Sequence, residues 1–179
     1  MTDVIVCIPH HKGEILWEVD WLIRQQTFQD FQLEIVSNER MGLPAGKVPT
    51  WGHKAVVWIM REYHPKMLLF QPADTLVYEN TLYQRFVDAL KDQNCIGAGI
   101  RPRSKQGGNW HLACAGETVM WSGFLSIYNM QILEEYVENY LKIQTNTDTL
   151  HEACAGAIED VPSYYFKPIS SLVTYTNQH

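Results

Sequence analysis

An α/β domain with a mostly parallel central sheet is predicted for this 179-residue chain. Three observations predict it. Strongly apolar runs alternate with segments of helical periodicity. The runs are too apolar for strands with one wet face. The order strand, helix, strand, loop, helix, strand, helix, strand also requires the right-handed crossovers of a parallel sheet.

Val4 to Pro9 is a continuous apolar run rich in β-branched residues and stopped by proline, which reads as a first strand buried on both faces. Glu14 to Gln26 places Ile15, Val19, Leu22 and Ile23 at helical spacing, with Glu14 and Glu18 in the early turns that the helix dipole favours. Leu33 to Val36 is a second strand. Ser37 to Pro49 holds two glycines and two prolines without periodicity and reads as a loop of functional length. A helix starts near Thr50 and ends before His64-Pro65, and Met67 to Phe70 is the third strand. After a turn carrying Asp74, Glu79 to Lys91 reads as a helix, and Cys95 to Ile100 as a strand. Arg101 to Asn109 is expected to be a polar loop. Trp110 to Tyr128 is expected to form two extended segments broken near Gly116. A helix over Gln131 to Lys142, a short one around His151 to Ala157 and a β-prone tail from Ser163 to Thr174 complete the chain. With no linker or repeat, residues 1–179 are expected to form a single domain.

Composition narrows the function. At 46% hydrophobic and 19% charged, the chain suits a soluble globular domain, and folding at this size buries roughly 70% of the surface of the unfolded chain. Fourteen basic against 20 acidic side chains leave a formal charge of −6, too negative for a dedicated nucleic-acid binder. Cys7, Cys95, Cys114 and Cys154 show no metal-like spacing and read as buried free thiols. The N-terminal residues enter a strand at once without a signal-like pattern, so a reducing cytoplasm is the expected compartment.

Phosphate-loop, dinucleotide, zincin and nucleophile-elbow motifs are absent. In an open α/β sheet, ligands bind at the carboxyl ends of the strands. That rule singles out Pro9 to Lys12, Ser37 to Arg40, Gln71 to Asp74 and the segment after Ile100. Asp74 follows a buried strand, where a carboxylate can hold a divalent cation; alternatively it starts a turn and caps the next helix. His10-His11 is a poor metal pair, because adjacent residues on an extended segment point in opposite directions.

Val4-Ile5-Val6-Cys7-Ile8-Pro9-His10-His11, Gln26-Thr27-Phe28-Gln29-Asp30 and Leu33-Glu34-Ile35-Val36-Ser37-Asn38-Glu39 occur in an order that resembles the GT-A glycosyltransferases, especially the large family 2 with nucleotide-sugar donors. Gln-Thr-Phe-x-Asp is the most specific of these matches. Trp51-Gly52-His53-Lys54-Ala55 looks like the family's helix carrying Ala-Arg-Asn. Leu68 to Leu76 is similar to the segment ending in Asp-x-Asp, with Pro72 in place of the first aspartate, and Ala157-Ile158-Glu159-Asp160-Val161-Pro162 resembles the Glu-Asp segment of the catalytic base.

The resemblance implies a single GT-A-like domain that moves a sugar from a nucleoside diphosphate sugar, UDP-linked by expectation, to an acceptor hydroxyl. The acceptor would be a glycan, a protein or a modified DNA base, and the reaction inverting. Asp74 would hold Mn²⁺ or Mg²⁺, and Asp160, or its neighbour Glu159, would be the general base. Pro9 and His10 would flank the nucleobase, Asn38 or Glu39 would accept from its ring or ribose, and Glu39 stands where the family usually has an aspartate. Lys54 would neutralise the diphosphate together with Arg101, Arg103 and Lys105, Gly107-Gly108 letting that segment close over the donor. Trp121-Ser122-Gly123 would lie on the acceptor side, and His151 or His179 would supply a further metal ligand. The small size would suit a viral modifying enzyme acting in host cytoplasm. Two other classes remain open: a non-catalytic nucleotide-sugar or glycan-binding module, motivated by Pro72, and a metal-dependent nucleotidyltransferase, which also gathers carboxylates at strand ends.

Overall fold

The computed structural model describes residues 3–10, 15–44, 51–91, 96–106, 109–113, 125–143, 166–169 and 173–175. Its centre is a six-stranded sheet in the order β2-β1-β3-β8-β5-β9. The strands are β1 (Val4–Pro9), β2 (Gln32–Val36), β3 (Met67–Phe70), β5 (Gly97–Gly99), β8 (Ser126–Asn129) and β9 (Phe166–Pro168). Every residue of β1 is buried, as expected for a central strand covered on both faces. β1 pairs in parallel with β2 and β3, and β5 in parallel with β9.

The sheet is mixed, because β8 runs antiparallel to both of its neighbours, β3 and β5. The reason lies in the connection. Beyond β5 the chain forms the hairpin of β6 (Arg101–Gln106) and β7 (Asn109–Ala113), and the Ile100 N–H donates to the Leu125 carbonyl at 3.0 Å. The chain therefore re-enters the sheet at the edge where it left, and β8 must run in reverse. The polar loop expected over Arg101 to Asn109 is thus replaced by a strand pair, with Gln106 opposite Asn109 and a register shift between Pro102 and Ser104.

Two helices cover each face. On one side α2 (Trp51–Tyr63) and α4 (Met130–Ile143) bury Val56, Ile59, Leu133 and Val137 against Ile5, Cys7, Leu68 and Tyr128. On the other, α1 (Trp17–Arg24) and α3 (Leu82–Lys91) bury Val19, Ile23, Phe86 and Leu90 against Val4, Val6, Ile8 and Ile127. The period-2 alternation of β1 thus divides one strand between two cores. Cys7 is a buried free thiol, held protonated by burial and by the nearby Glu34. Cys95, Cys114 and Cys154 lie outside the described residues.

Local chemistry sets the ends of the helices. The Asn129 side chain accepts from the Ile132 N–H and caps α4. His64 takes a left-handed φ of 47° directly after α2, and Pro65 prevents its continuation. α1 and α3 start later than their periodicity suggests, at Trp17 and Leu82. Before α3, a short strand β4 (Thr75–Val77), not anticipated from the sequence, pairs antiparallel with β10 (Val173–Tyr175). The β-prone tail therefore serves two sheets, β9 the main one and β10 this ribbon. The short helix expected around His151 to Ala157 and the break near Gly116 lie outside the described residues.

Candidate functional site at the carboxyl edge of the sheet

The first three strands end together. Just past β1, the His10 N–H donates to the Val36 carbonyl at 2.9 Å, and the Gln71 N–H donates to the Cys7 carbonyl at 3.0 Å, so each ladder runs one residue further before the chains diverge. Pro9 is buried opposite Val36, and His10 is half-buried at the tip.

The segment beyond β2 is wound tightly. The Met41 N–H donates to the Ser37 carbonyl, the Leu43 N–H to the Asn38 carbonyl, and the Gly42 N–H to the Glu39 carbonyl, with Gly42 at a φ of 69° that suits glycine. Asn38 is buried, and its side-chain N–H donates to the Pro44 carbonyl at 3.1 Å, tying the loop back on itself. Glu39 is exposed on the turn. Beside it Arg40 pairs with the buried carboxylate of Glu34, donates to the Ile35 carbonyl and the Tyr63 hydroxyl, and lies 4.9 Å from the centre of the Trp58 ring. The loop is therefore a rigid wall.

At the end of β3, the buried side chain of Gln71 donates to the Thr75 carbonyl at 3.1 Å and accepts from the buried Tyr83 hydroxyl. The Thr75 N–H donates to the Pro72 carbonyl at 3.1 Å. Together these bonds fix a tight turn over Pro72 to Thr75 that presents half-buried Asp74 at the edge. β4 separates Asp74 from α3, so Asp74 does not cap that helix.

The first turn of α2 closes the third side. A Cβ on Gly52 would meet the Phe70 ring at 3.0 Å, so the helix N-terminus presses directly onto the end of β3. His53 and Lys54, next in α2, are 7% and 6% exposed. His53 continues the apolar stripe of Val56, Val57 and Met60 toward the sheet, and burial pushes its pKa down to about 4, so it is neutral near pH 7. Among the described residues neither of its ring nitrogens has a hydrogen-bond partner, nor does the buried hydroxyl of Thr75, beside Asp74. Orphaned polar groups of this kind are rare in folded proteins, and a water, an ion or a ligand can complete them. Nothing in the segment Trp51-Gly52-His53-Lys54-Ala55 marks His53 as a site residue; its burial without a hydrogen-bond partner among the described residues does.

No protein-family model matches the chain. No curated protein matches it in sequence. Solved structures do match. The 1–349 fragment of S. aureus TarS, determined in complex with UDP, superimposes with a TM-score of 0.54 at 11% identity, over 96% of this chain and 59% of that one. The A197 protein of STIV gives a TM-score of 0.50 at 13% identity, over 94% of this chain and 82% of that one. The glycosyltransferase GlyE of Streptococcus pneumoniae gives 0.47 at 11% identity, over 94% and 45%.

The chain shares the fold of the TarS fragment and of A197. At such identities the likeness extends to the fold and not to a family, and the chain spans 59% of the TarS fragment. Glu159, Asp160, His151, His179 and Trp121-Ser122-Gly123 lie outside the described residues, as does Gly107-Gly108. Arg101, Arg103 and Lys105 fall on β6, which leaves the carboxyl end of β5, with Arg103 at the shift in register. Among the described residues no three His, Cys, Asp or Glu side chains gather as a metal site. Asp74 offers a carboxylate at this edge without such a cluster around it, so a cation held there would need oxygens from its ligand to complete its shell. No helix among the described residues is long and apolar enough to cross a membrane.

Proposed function

We propose that the chain is a sugar transferase that takes a nucleoside diphosphate sugar and passes the sugar to an acceptor hydroxyl. The observation that supports this reading is that the Asp74 turn and the first turn of α2, which carries His53 and Lys54, both adjoin the end of β3, with the His53 ring and the Thr75 hydroxyl buried without hydrogen-bond partners among the described residues. The fold it shares with TarS, a protein crystallised with UDP, supports a nucleoside diphosphate as ligand.

In this reading Lys54 and the amino end of α2 oppose the negative charge of the diphosphate. Neutral His53 gives or accepts a hydrogen bond with a donor hydroxyl or phosphate, a bond with no competing partner among the described residues. Pro9 and His10 bound the nucleobase, the rigid wall formed by Asn38 and Glu39 closes its far side, and Asp74 faces the diphosphate. Mn²⁺ or Mg²⁺, when bound, supplies positive charge to the departing diphosphate. Asp160, with Glu159 as the alternative, takes the proton from the acceptor hydroxyl, and attack from the opposite face inverts the anomeric centre. Alignment of the acceptor with the sugar carbon contributes the rest of the acceleration.

A thermal-shift panel of nucleoside diphosphate sugars, with and without Mn²⁺, tests the reading. A specific donor raises the melting temperature by mass action, and Asp74→Asn removes the Mn²⁺-dependent part of the rise. No shift with any donor overturns it. Pro72, in place of a second carboxylate, favours a second reading: a module that binds nucleotide sugars without turning them over. Slow donor hydrolysis that needs Mn²⁺ and is lost in Asp74→Asn rejects that alternative.

A further inference from the structure

The outer face of α1 carries an aromatic strip that the donor site does not use. Trp17 is 72% exposed and Trp21 55%, although all six residues of neighbouring β1 are buried. At four residues' separation the two indoles lie on one side of the helix, one turn apart, or about 6 Å along its axis. Val19, Leu22 and Ile23 point the other way, and Val19 and Ile23 are buried in the core. Helical geometry puts Asp20 and Arg24 along one flank of the indoles and Glu18 and Gln25 along the other.

The flanks are hydrogen-bonding. Arg24 grips Asp20 in a two-pronged ion pair, Nε to Oδ2 at 2.7 Å and Nη2 to Oδ1 at 3.1 Å, so the only cation of α1 is already engaged. Glu18 then leaves the strip with net negative charge, on a chain that is itself at −6. This balance repels anionic bilayers and nucleic acids. Glu18, Asp20, Arg24 and Gln25 surround both indoles with hydrogen-bonding groups in place of further apolar side chains. A neutral sugar polymer suits the face: the C–H side of a pyranose ring stacks on an indole, while its hydroxyls meet carboxylate, guanidinium and amide groups.

The strip also leads to the donor site. α1 follows β1 and returns the chain to the start of parallel β2, so its Trp17 end lies at the carboxyl edge. From that edge β4 runs beside α1, and the end of α1 is tied to the residues after it by the Thr27 N–H on the Asn80 carbonyl at 2.7 Å. Tyr78, 54% exposed, adds a third aromatic at that far end.

We propose that Trp17 and Trp21 form a binding surface for a neutral oligosaccharide, which would be the acceptor in the sugar-transfer reading. The name acceptor rests on that reading; the binding does not. Native gels cast with β-glucan, xylan, galactomannan or dextran test it without donor. Expected is retardation by at least one polymer, weakened about ten-fold or more in Trp17→Ala/Trp21→Ala and largely restored in Trp17→Phe/Trp21→Phe. Unchanged mobility in every gel overturns the proposal. So does retardation that survives the double alanine change, and so does tryptophan-dependent sedimentation with anionic vesicles or dimer formation in place of retardation. The donor panel, run on the unaltered chain, reports separately: retardation without a donor shift keeps the surface and removes the transferase.

Discussion

Replacing His53 by leucine is expected to stabilise the protein and weaken its capture of donor. His53 is buried, its pKa lies at about 4 against an ordinary 6.5, and both ring nitrogens lack partners among the described residues. Leucine fills a similar volume without orphaned polar atoms, so near pH 7 the variant should gain about 1–3 kcal/mol. The difference grows in acid. As pH falls below 6.5 the unfolded chain takes up a proton on His53 that the folded chain refuses until about 4. The stability contributed by the neutral imidazole is full above 6.5 and declines through that window. Between pH 7 and pH 5 the wild type should lose about 2 kcal/mol by this route alone, a loss the leucine variant does not share. Urea unfolding of both proteins at the two pH values measures it, because the other titrating groups cancel in the difference. In thermal melts the same 2 kcal/mol corresponds to about 4–8 °C. A variant of equal or lower stability at pH 7, with a parallel pH dependence, would refute the assignment of His53 as an orphaned neutral side chain. Full donor-induced stabilisation in the variant would separately remove His53 from the donor site.

Three further changes probe the supports of the site. Tyr83→Phe leaves the buried Gln71 carbonyl oxygen without the hydroxyl that donates to it, and should cost about 1–3 kcal/mol in urea unfolding; an unchanged midpoint rejects that bond. Arg40→Lys keeps the charge but loses the fork that reaches Glu34, Ile35 and Tyr63 and the stacking on Trp58; a loss of about 1–2 kcal/mol by the same assay is expected, and none would mean the wall after β2 does not depend on it. Gly52→Ala should destabilise despite alanine's better helix propensity, by about 1 kcal/mol, because its Cβ meets the Phe70 ring; pairing it with Phe70→Leu should recover part of the loss, and simple additivity would show that the two residues do not touch.

What could be read from the sequence follows from burial. β1, β3 and the apolar stripes of α2 and α3 stand out because both faces of the sheet are covered, and the strand-helix order then gives the parallel half of the sheet. The hairpin of β6 and β7 was missed because Arg101, Arg103 and Lys105 make its first strand as polar as a loop. Its one local cue was Gly107-Gly108, a dipeptide suited to two-residue hairpin turns, with Gln106 paired to Asn109 on either side. Missing the hairpin also concealed the reversal of β8. β4 is three residues long and gains its pairing only from β10, nearly a hundred positions later, so no window of sequence around Asp74 contains the cause. The orphaned state of His53 is likewise a tertiary property.

The motif that most specifically suggested a glycosyltransferase has a structural role here, which explains how a fold can be recognisable where a family is not. Gln26, the first residue of Gln-Thr-Phe-x-Asp, donates from its side chain to the Glu79 carbonyl at 3.1 Å and accepts from the Tyr83 N–H at 3.2 Å. Tyr83 donates through its hydroxyl to Gln71, and Gln71 to the Thr75 carbonyl, closing the turn that presents Asp74. A buried polar chain thus runs from the end of α1, through α3, to the candidate donor site. The links from Gln26 to the Tyr83 N–H and on through Gln71 to Thr75 sit between buried partners, so substitution at one of them strands the next, and such a network constrains the fold whatever ligand the edge accepts. Gln26→Leu therefore tests the connection. It should destabilise through the orphaned Tyr83 N–H, and should also shift the donor response if the turn at Asp74 depends on the chain. Destabilisation with an unaltered donor response would make the network purely architectural and leave Asp74 held by Pro72 and β4 alone.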